Sequence, residues 1–193
     1  MKTLIPETWI EVTLGLLWTD ARNGCGARRG AGRPTVVLRL LDLDTDGRIA
    51  PDGLREIPLT DDQRRKYALA PGDLLVFRVN GSPQIAGKVI AYAGPPGFAY
   101  CDHFIRVRLD QRLALPGFVA KAVSTGKSRR EIERGMVSTA GQHTVSQATL
   151  AEVHVPVPPV EEQRRIVDAL DSYLSRLDDA VASLERVQAK LKG

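Results

Sequence analysis

Hydrophobic residues follow two different periods along the 193-residue chain. After Glu161 they recur as a heptad, with Val167, Leu174, Val181 and Gln188 at one seam position and Leu170, Leu177, Leu184 and Leu191 three residues later. A heptad sustained over that length predicts a helix. Pro156, Pro158 and Pro159 mark its entry, since proline is tolerated just before or in a first turn, and Glu161 and Glu162 follow where the macrodipole favours carboxylates. No Gly or Pro interrupts the run before Leu191, so the helix should extend about 30 residues, roughly 45 Å. The flanking positions Ile166, Tyr173, Ala180 and Val187 are also largely apolar, which makes the stripe wider than a two-stranded coiled coil needs and asks for more than one neighbour. The competing arrangement is a helix folded back along its own domain, but a rod of this length overhangs a domain of this size.

Before that helix the period changes. Thr35 to Leu43, Asp73 to Asn80 and Ala86 to Tyr92 are rich in β-branched residues or leucine, and His103 to Leu109 alternates, which predicts strands. Asp46-Gly47, Pro71-Gly72, Asn80-Gly81 and Gly94-Pro95-Pro96-Gly97 supply turns between them. Shorter helices are predicted around Asp61 to Leu69, Leu115 to Ser124 and Arg129 to Arg134. The pattern is that of an α+β chain: a β-rich domain with long loops over residues 1–155, then a proline-rich entry and a long C-terminal coiled-coil helix over residues 156–193.

At 43% hydrophobic and 26% charged residues the composition is that of an ordinary globular protein, which excludes a disordered or collagen-like chain. No apolar run approaches the roughly 18 residues of a membrane span, and Pro6, Glu7 and Glu11 interrupt the N-terminal stretch where a signal peptide needs apolar residues. A soluble, cytoplasmic chain without membrane association is expected. Cys25 and Cys101 are too few for a zinc site by themselves or for a disulfide framework, and His103, His143 and His154 lack metal-ligand spacing, so no metal is expected.

Three partial motifs fail on inspection. Asp42, Asp44, Asp46 and Gly47 open like a calcium-binding loop, but the closing glutamate would fall on Gly53, and Ala50-Pro51 blocks the exiting helix. Gly126-Lys127-Ser128 ends like a phosphate-binding loop whose first glycine would fall on Lys121, and Ser124 with Lys127 fits a Ser-x-x-Lys pair without its companion motifs. A glycine-rich nucleotide turn after a strand and an Asn/Asp-Pro-Pro-aromatic methyltransferase motif are both missing, so neither catalytic residues nor a cofactor such as S-adenosylmethionine is expected.

Charge changes the picture more. Lys and Arg number 27 against 23 Asp and Glu, a net +4 that leans toward an anionic partner. The segment from Glu161 on is slightly acidic, so the excess sits on the globular part. Arg22, Arg28, Arg29 and Arg33 lie in a glycine-rich stretch without an acidic residue, and Lys121, Lys127, Arg129, Arg130 and Arg134 oppose only Glu131 and Glu133. Flexible basic loops on a β-rich frame suit duplex DNA, because Arg and Lys displace condensed counterions while Arg, Asn and Gln can pair with base edges. A solvated surface with incidental charge is the alternative. The candidate DNA contacts are Arg28, Arg29, Arg78, Asn80, Ser82, Lys127, Arg129, Arg130 and Gln142.

Several segments also carry a family resemblance. Trp9 near the start, then Arg64-Arg65-Lys66-Tyr67-Ala68-Leu69 with Pro71-Gly72-Asp73-Leu74-Leu75, Arg78-Val79-Asn80-Gly81-Ser82 and Gly87-Lys88, resemble the target-recognition domain of type I restriction-modification specificity subunits. Gly141-Gln142-His143-Thr144-Val145-Ser146, Leu150, and the run from Val155 through Pro158-Pro159-Val160-Glu161-Glu162-Gln163-Arg164-Arg165-Ile166-Val167 look like that family's proline-rich entry into its conserved spacer helix. The resemblance implies a non-catalytic, sequence-specific DNA-binding subunit that directs methyltransferase and restriction subunits. Full-length members carry two recognition domains and two antiparallel spacer helices. This chain holds one of each, a half-length form, natural or truncated, expected to homodimerise through Val167, Leu170, Leu174, Leu177, Val181, Leu184 and Leu191 and to read an interrupted palindrome. The other class open to such a chain is a coiled-coil adaptor for protein partners, without specific DNA binding.

Overall fold

The computed structural model describes residues 6–26, 31–44, 47–50 and 53–192. Its elements run, in chain order, β1 (Ile10–Thr13), β2 (Trp18–Asn23), β3 (Arg33–Leu38), β4 (Glu56–Leu59), α1 (Asp61–Tyr67), β5 (Leu74–Phe77), β6 (Val79–Asn80), β7 (Val89–Ala91), β8 (Ala99–Tyr100), β9 (Phe104–Leu109), α2 (Pro116–Val123), α3 (Gly126–Arg134), β10 (Val137–Thr139), β11 (Gln142–Thr144), α4 (Gln147–Ala151), β12 (His154–Val157) and α5 (Val160–Lys192). The chain is therefore α+β with a long C-terminal helix.

The central sheet has the order β2-β9-β5-β7, antiparallel throughout, with Leu74 opposite Val107 and Val76 opposite Ile105. Both faces are covered. Leu74, Val76, Ile105 and Val107 pack with Phe118, Val119 and Val123 of α2, Ile132 of α3 and Leu150 of α4. Leu75, Phe77 and Phe104 face the other way, into a cluster with Leu38, Tyr92 and Tyr100. Two-sided burial explains why β5 is uniformly apolar instead of alternating. A second sheet, β4-β3-β8, joins β3 and β4 antiparallel and β3 and β8 parallel.

Local chemistry sets the short helices. Thr60 caps α1 reciprocally with Gln63: the Gln63 N–H donates to Thr60 Oγ1 at 3.2 Å and the Thr60 N–H to Gln63 Oε1 at 3.0 Å. Pro116 opens α2 at its first helical position. Gly87 has φ +71°, and a Cβ there would lie 2.4 Å from Ile132 Cγ2, so only glycine lets α3 close onto this turn. The run predicted as a strand from Thr35 to Leu43 ends at Leu38. There the Arg39 N–H and guanidinium both bond to the Asp42 carboxylate, and the chain turns over Leu40–Asp42.

Two arginines of β9, one buried and one half-buried, tie the centre together. Arg106, 2% exposed, donates to Asp20 Oδ2 at 2.5 Å and to the Ala68 carbonyl at 2.8 Å, and stacks 5.7 Å from the Tyr100 ring centroid. Arg108 donates to Asp73 Oδ1 at 2.8 Å and to the same Ala68 carbonyl at 2.9 Å. The segment between α1 and β5 is thereby pinned to β9 through Ala68 and Asp73, and burial lifts the Tyr100 hydroxyl well above its ordinary range.

The root of the long helix is built from both ends of the chain. β1 pairs antiparallel with β12, Ile10 opposite Val157. Pro156 and Val157, grouped with the helical entry by sequence, thus complete a strand; Pro156 lacks an N–H, which a two-stranded ribbon tolerates. The turn into α5 falls at Pro158-Pro159. Gln163, fully buried, accepts the Leu115 N–H at 2.8 Å and donates to the Leu113 and Pro158 carbonyls, each at 2.9 Å. Trp9 Nε1 donates to Glu162 at 3.1 Å while its ring meets Phe118 edge-on. Among the described residues no helix is long and apolar enough to cross a membrane.

Candidate nucleic-acid interface

Four of the residues expected to touch DNA come together around a small sheet of order β10-β11-β6. Asn80 stands opposite His143 and Val79 opposite Thr144. Asn80 Oδ1 accepts the Ser82 N–H at 2.9 Å, and the Ser82 hydroxyl donates to Gln84 at 2.7 Å, which shapes the loop after β6. Arg78 is half-buried, its Nη1 donating to the Asp102 carbonyl at 3.0 Å. Gln142 opens β11 opposite Thr139, beyond a two-residue turn in which Ala140 (φ 50°) and Gly141 (φ 76°) both sit in the left-handed region that such hairpins require. Residues 137–142 are all exposed, and none is charged. A two-stranded ribbon with free amide and hydroxyl groups is of a size to enter a major groove. Alternating Val-Ser-Thr and Gln-His-Thr around Ala-Gly is the signal that would have found this hairpin in the sequence.

The basic residues of α3 are distributed differently. Arg129 is largely covered: its guanidinium donates to Glu133 at 2.8 Å and to the Pro83 carbonyl at 2.7 Å, so it fixes α3 to the loop after Ser82. Lys127 points to the other side and pairs with Glu11 of β1 at 2.7 Å, whose carboxyl this hydrogen bond holds below the usual carboxylate range. Arg130 lines a groove of about 690 Å³ between α3 and the root of α5, together with Trp9, Phe118, Ile166 and Leu170. Arg28 and Arg29 lie outside the described residues.

Along α5 the structure splits the expected dimer seam. Ile166 and Val167 pack against the chain's own core. Asp171, paired with Lys121 at 2.7 Å, ties the helix to α2 one turn further on. Beyond it Tyr173, Leu174, Leu177, Val181, Leu184 and Val187 are each about half exposed or more, Leu177 at 60% and Leu184 at 66%. The Leu191 side chain lies outside the described residues.

Residues 127–188, from α3 through most of α5, match the model of the family described as "Type I restriction modification DNA specificity domain". The chain carries a type I specificity domain. It is 34% identical over 172 residues to the type I restriction enzyme StySPI specificity subunit of Salmonella potsdam, covering 88% of this chain and 37% of that protein. To the EcoKI specificity subunit of Escherichia coli K12 it is 26% identical, over 90% of this chain and 38% of the relative. It thus spans about two fifths of the length of these curated relatives. Its fold is similar to that of the HsdS subunit from Thermoanaerobacter tengcongensis, with a TM-score of 0.68 at 18% identity over 91% of this chain and 44% of that one. A chain solved in a study of assembly and conformational transition of the type I R-M system matches at TM-score 0.70 and 20% identity, over 97% and 46%.

Within this specificity domain the proline-rich entry acquires a physical meaning. Its glutamine, Gln163, is the buried side chain that fastens the helix to the sheet domain, a role the sequence alone did not assign. Arg106, Arg108, Asp20 and Asp73 were likewise missed, because an arginine in an alternating strand looks like a solvent-facing position.

Proposed function

We propose that this specificity domain is a non-catalytic DNA-recognition unit that acts in the cytoplasm. In this reading it directs a type I modification methyltransferase subunit, and through it a restriction subunit, to a bipartite site. The observation that carries the proposal is the hairpin sheet: Arg78, Asn80, Ser82 and Gln142 lie together beside an exposed, uncharged two-stranded ribbon, on a frame rooted rigidly to a long apolar-striped helix. Arg, Asn and Gln are the side chains able to make bidentate contacts with base edges, and a ribbon on a rigid frame can hold them in register with a groove.

The exposed stripe of α5 supports a homodimer through antiparallel helices. Two identical domains related by a two-fold axis read inverted copies of one half-site, so the target is an interrupted palindrome. A 33-residue helix spans roughly 50 Å. At about 3.4 Å per base pair, domains separated by most of that length centre their contacts about 10 to 13 base pairs apart.

Selection from random duplexes by the protein with its methyltransferase partner tests this. Recovery of one contiguous, non-palindromic site would refute the homodimer while leaving DNA recognition standing. The ion pairs that occupy Lys127, Arg129 and Lys121 favour a second reading, a coiled-coil adaptor without specific DNA binding. Titration of a duplex at two salt concentrations separates the two, because phosphate contacts make affinity fall steeply with salt.

A further inference from the structure

Cys101, Asp102 and His103 form the turn between β8 and β9, closed by the Phe104 N–H donating to the Cys101 carbonyl at 3.0 Å. Cys101 Sγ lies 3.8 Å from His103 Nδ1, which in turn lies 3.4 Å from Asp102 Oδ1, and the three atoms are all within 4.8 Å of one another. Around a tetrahedral ion with sulfur at about 2.3 Å and nitrogen or oxygen at about 2.0 Å, the ligand-to-ligand edges are roughly 3.6 and 3.3 Å. The two edges at His103 are therefore within a few tenths of an ångström of the spacing that one ion requires.

The surroundings fit a metal as well. The three side chains open on a cavity of about 250 Å³, which leaves room for a water as fourth ligand. Arg39 and Arg55 also border it, and the Arg39 charge is taken up by Asp42 at 2.7 Å. A thiolate, an imidazole and one carboxylate form a borderline-soft set suited to zinc or cobalt and unsuited to magnesium or calcium. We propose that Cys101, Asp102 and His103 bind one divalent transition-metal ion of the zinc class, with a fourth position open to the cavity. Binding releases the Cys101 thiol proton to solvent, while His103 coordinates through neutral Nδ1. Arg78 donates its backbone N–H to the His103 carbonyl at 2.7 Å and its side chain to the Asp102 carbonyl, so an ion here stiffens the base of β6.

Cobalt titration of the full, reduced chain is the test. A thiolate-to-cobalt charge-transfer band saturating at one equivalent, and displaced by zinc, is expected. Cys101→Ser should abolish the band and Cys25→Ser should leave it intact. His103→Ala and Asp102→Asn should each weaken binding roughly tenfold or more, since even an outer partner of a metal ligand is worth that much. Absence of the band at millimolar cobalt, its persistence in Cys101→Ser, or its loss in Cys25→Ser overturns the proposal. If Cys101→Ser does not fold, the half-exposed positions decide: unchanged cobalt affinity in both His103→Ala and Asp102→Asn overturns it equally.

Discussion

Replacing Gln163 by alanine should loosen the whole helix from the domain. The side chain is fully buried and makes three hydrogen bonds, one accepted from the Leu115 N–H and two donated to the Leu113 and Pro158 carbonyls. Alanine strands those backbone groups. A buried polar group left without a partner costs about 1–3 kcal/mol. Leu113 lies on an exposed turn where water can replace the amide, so the Leu115 N–H and the Pro158 carbonyl carry most of the penalty. Together they come to about 3 kcal/mol, or a fall of roughly 6–12 °C in Tm for a chain of this size. Urea unfolding measures the total, and hydrogen exchange over residues 160–168 reports whether protection is lost first at the helix root. Gln163→Glu sharpens the test. Facing two carbonyls, its carboxyl is favoured in the protonated form, so its folded pKa is raised above the unfolded value. The variant's stability is then greatest at low pH and declines as pH rises through that folded pKa. A Gln163→Ala protein within about 0.5 kcal/mol of the parent, with unchanged protection at 160–168, would refute the clamp.

Leu177→Glu, at the middle of the exposed stripe, should convert a dimer to monomers in sedimentation; an unchanged mass with a dimeric parent removes the seam from the interface. Arg106→Ala should cost about 3 kcal/mol in denaturant unfolding, the low end for breaking a buried pair because Asp20 keeps some contact with water; a loss under half of that would mean that Ala68 and Asp20 find other partners. The Lys127–Glu11 pair depresses the Glu11 pKa, so its contribution is present at neutral pH and is lost as pH falls through the folded pKa. Both partners are well exposed, so Lys127→Ala should cost well under about 1 kcal/mol and the difference from the parent should vanish in acid. Gln142→Ala should relax one base position symmetrically in both half-sites of a selected duplex, whereas a uniform loss of affinity would make Gln142 a backbone contact.

What the sequence made legible was what depends on local period. The heptad located α5, and Asp61 to Leu69, Leu115 to Ser124 and Arg129 to Arg134 correspond to α1, α2 and α3 with ends shifted by a few residues. Strands whose partners are remote in sequence were harder: β1 and β2 carry polar or charged residues at half or more of their positions and become strands only because β12 and β9 pair with them. At the candidate interface, composition singled out Arg78, Asn80, Ser82 and Gln142 together with Arg129, and could not reveal that Arg129 is consumed by the Pro83 and Gln84 carbonyls. Whether an arginine is free or clamped depends on tertiary partners more than 40 residues away, which no window of sequence contains.

The root of α5 also bears on how separation could be set. A long helix specifies a distance between two domains only if it leaves each domain at a fixed angle. Here Gln163 bonds to the run into α2 and to the turn before the helix, Trp9 grips Glu162 from the start of the chain, and Lys121 of α2 reaches Asp171 two turns further along. These attachments come from three separate segments and lie on more than one side of the helix, so rotation about any single bond is opposed by the others. Most of the bare apolar stripe lies beyond that point, where a second helix can lie against it without disturbing the root. Weakening the root and weakening the stripe should consequently have different signatures. Gln163→Ala should leave a dimer whose preferred gap between half-sites is broadened, while Leu177→Glu should abolish the gap preference together with the dimer.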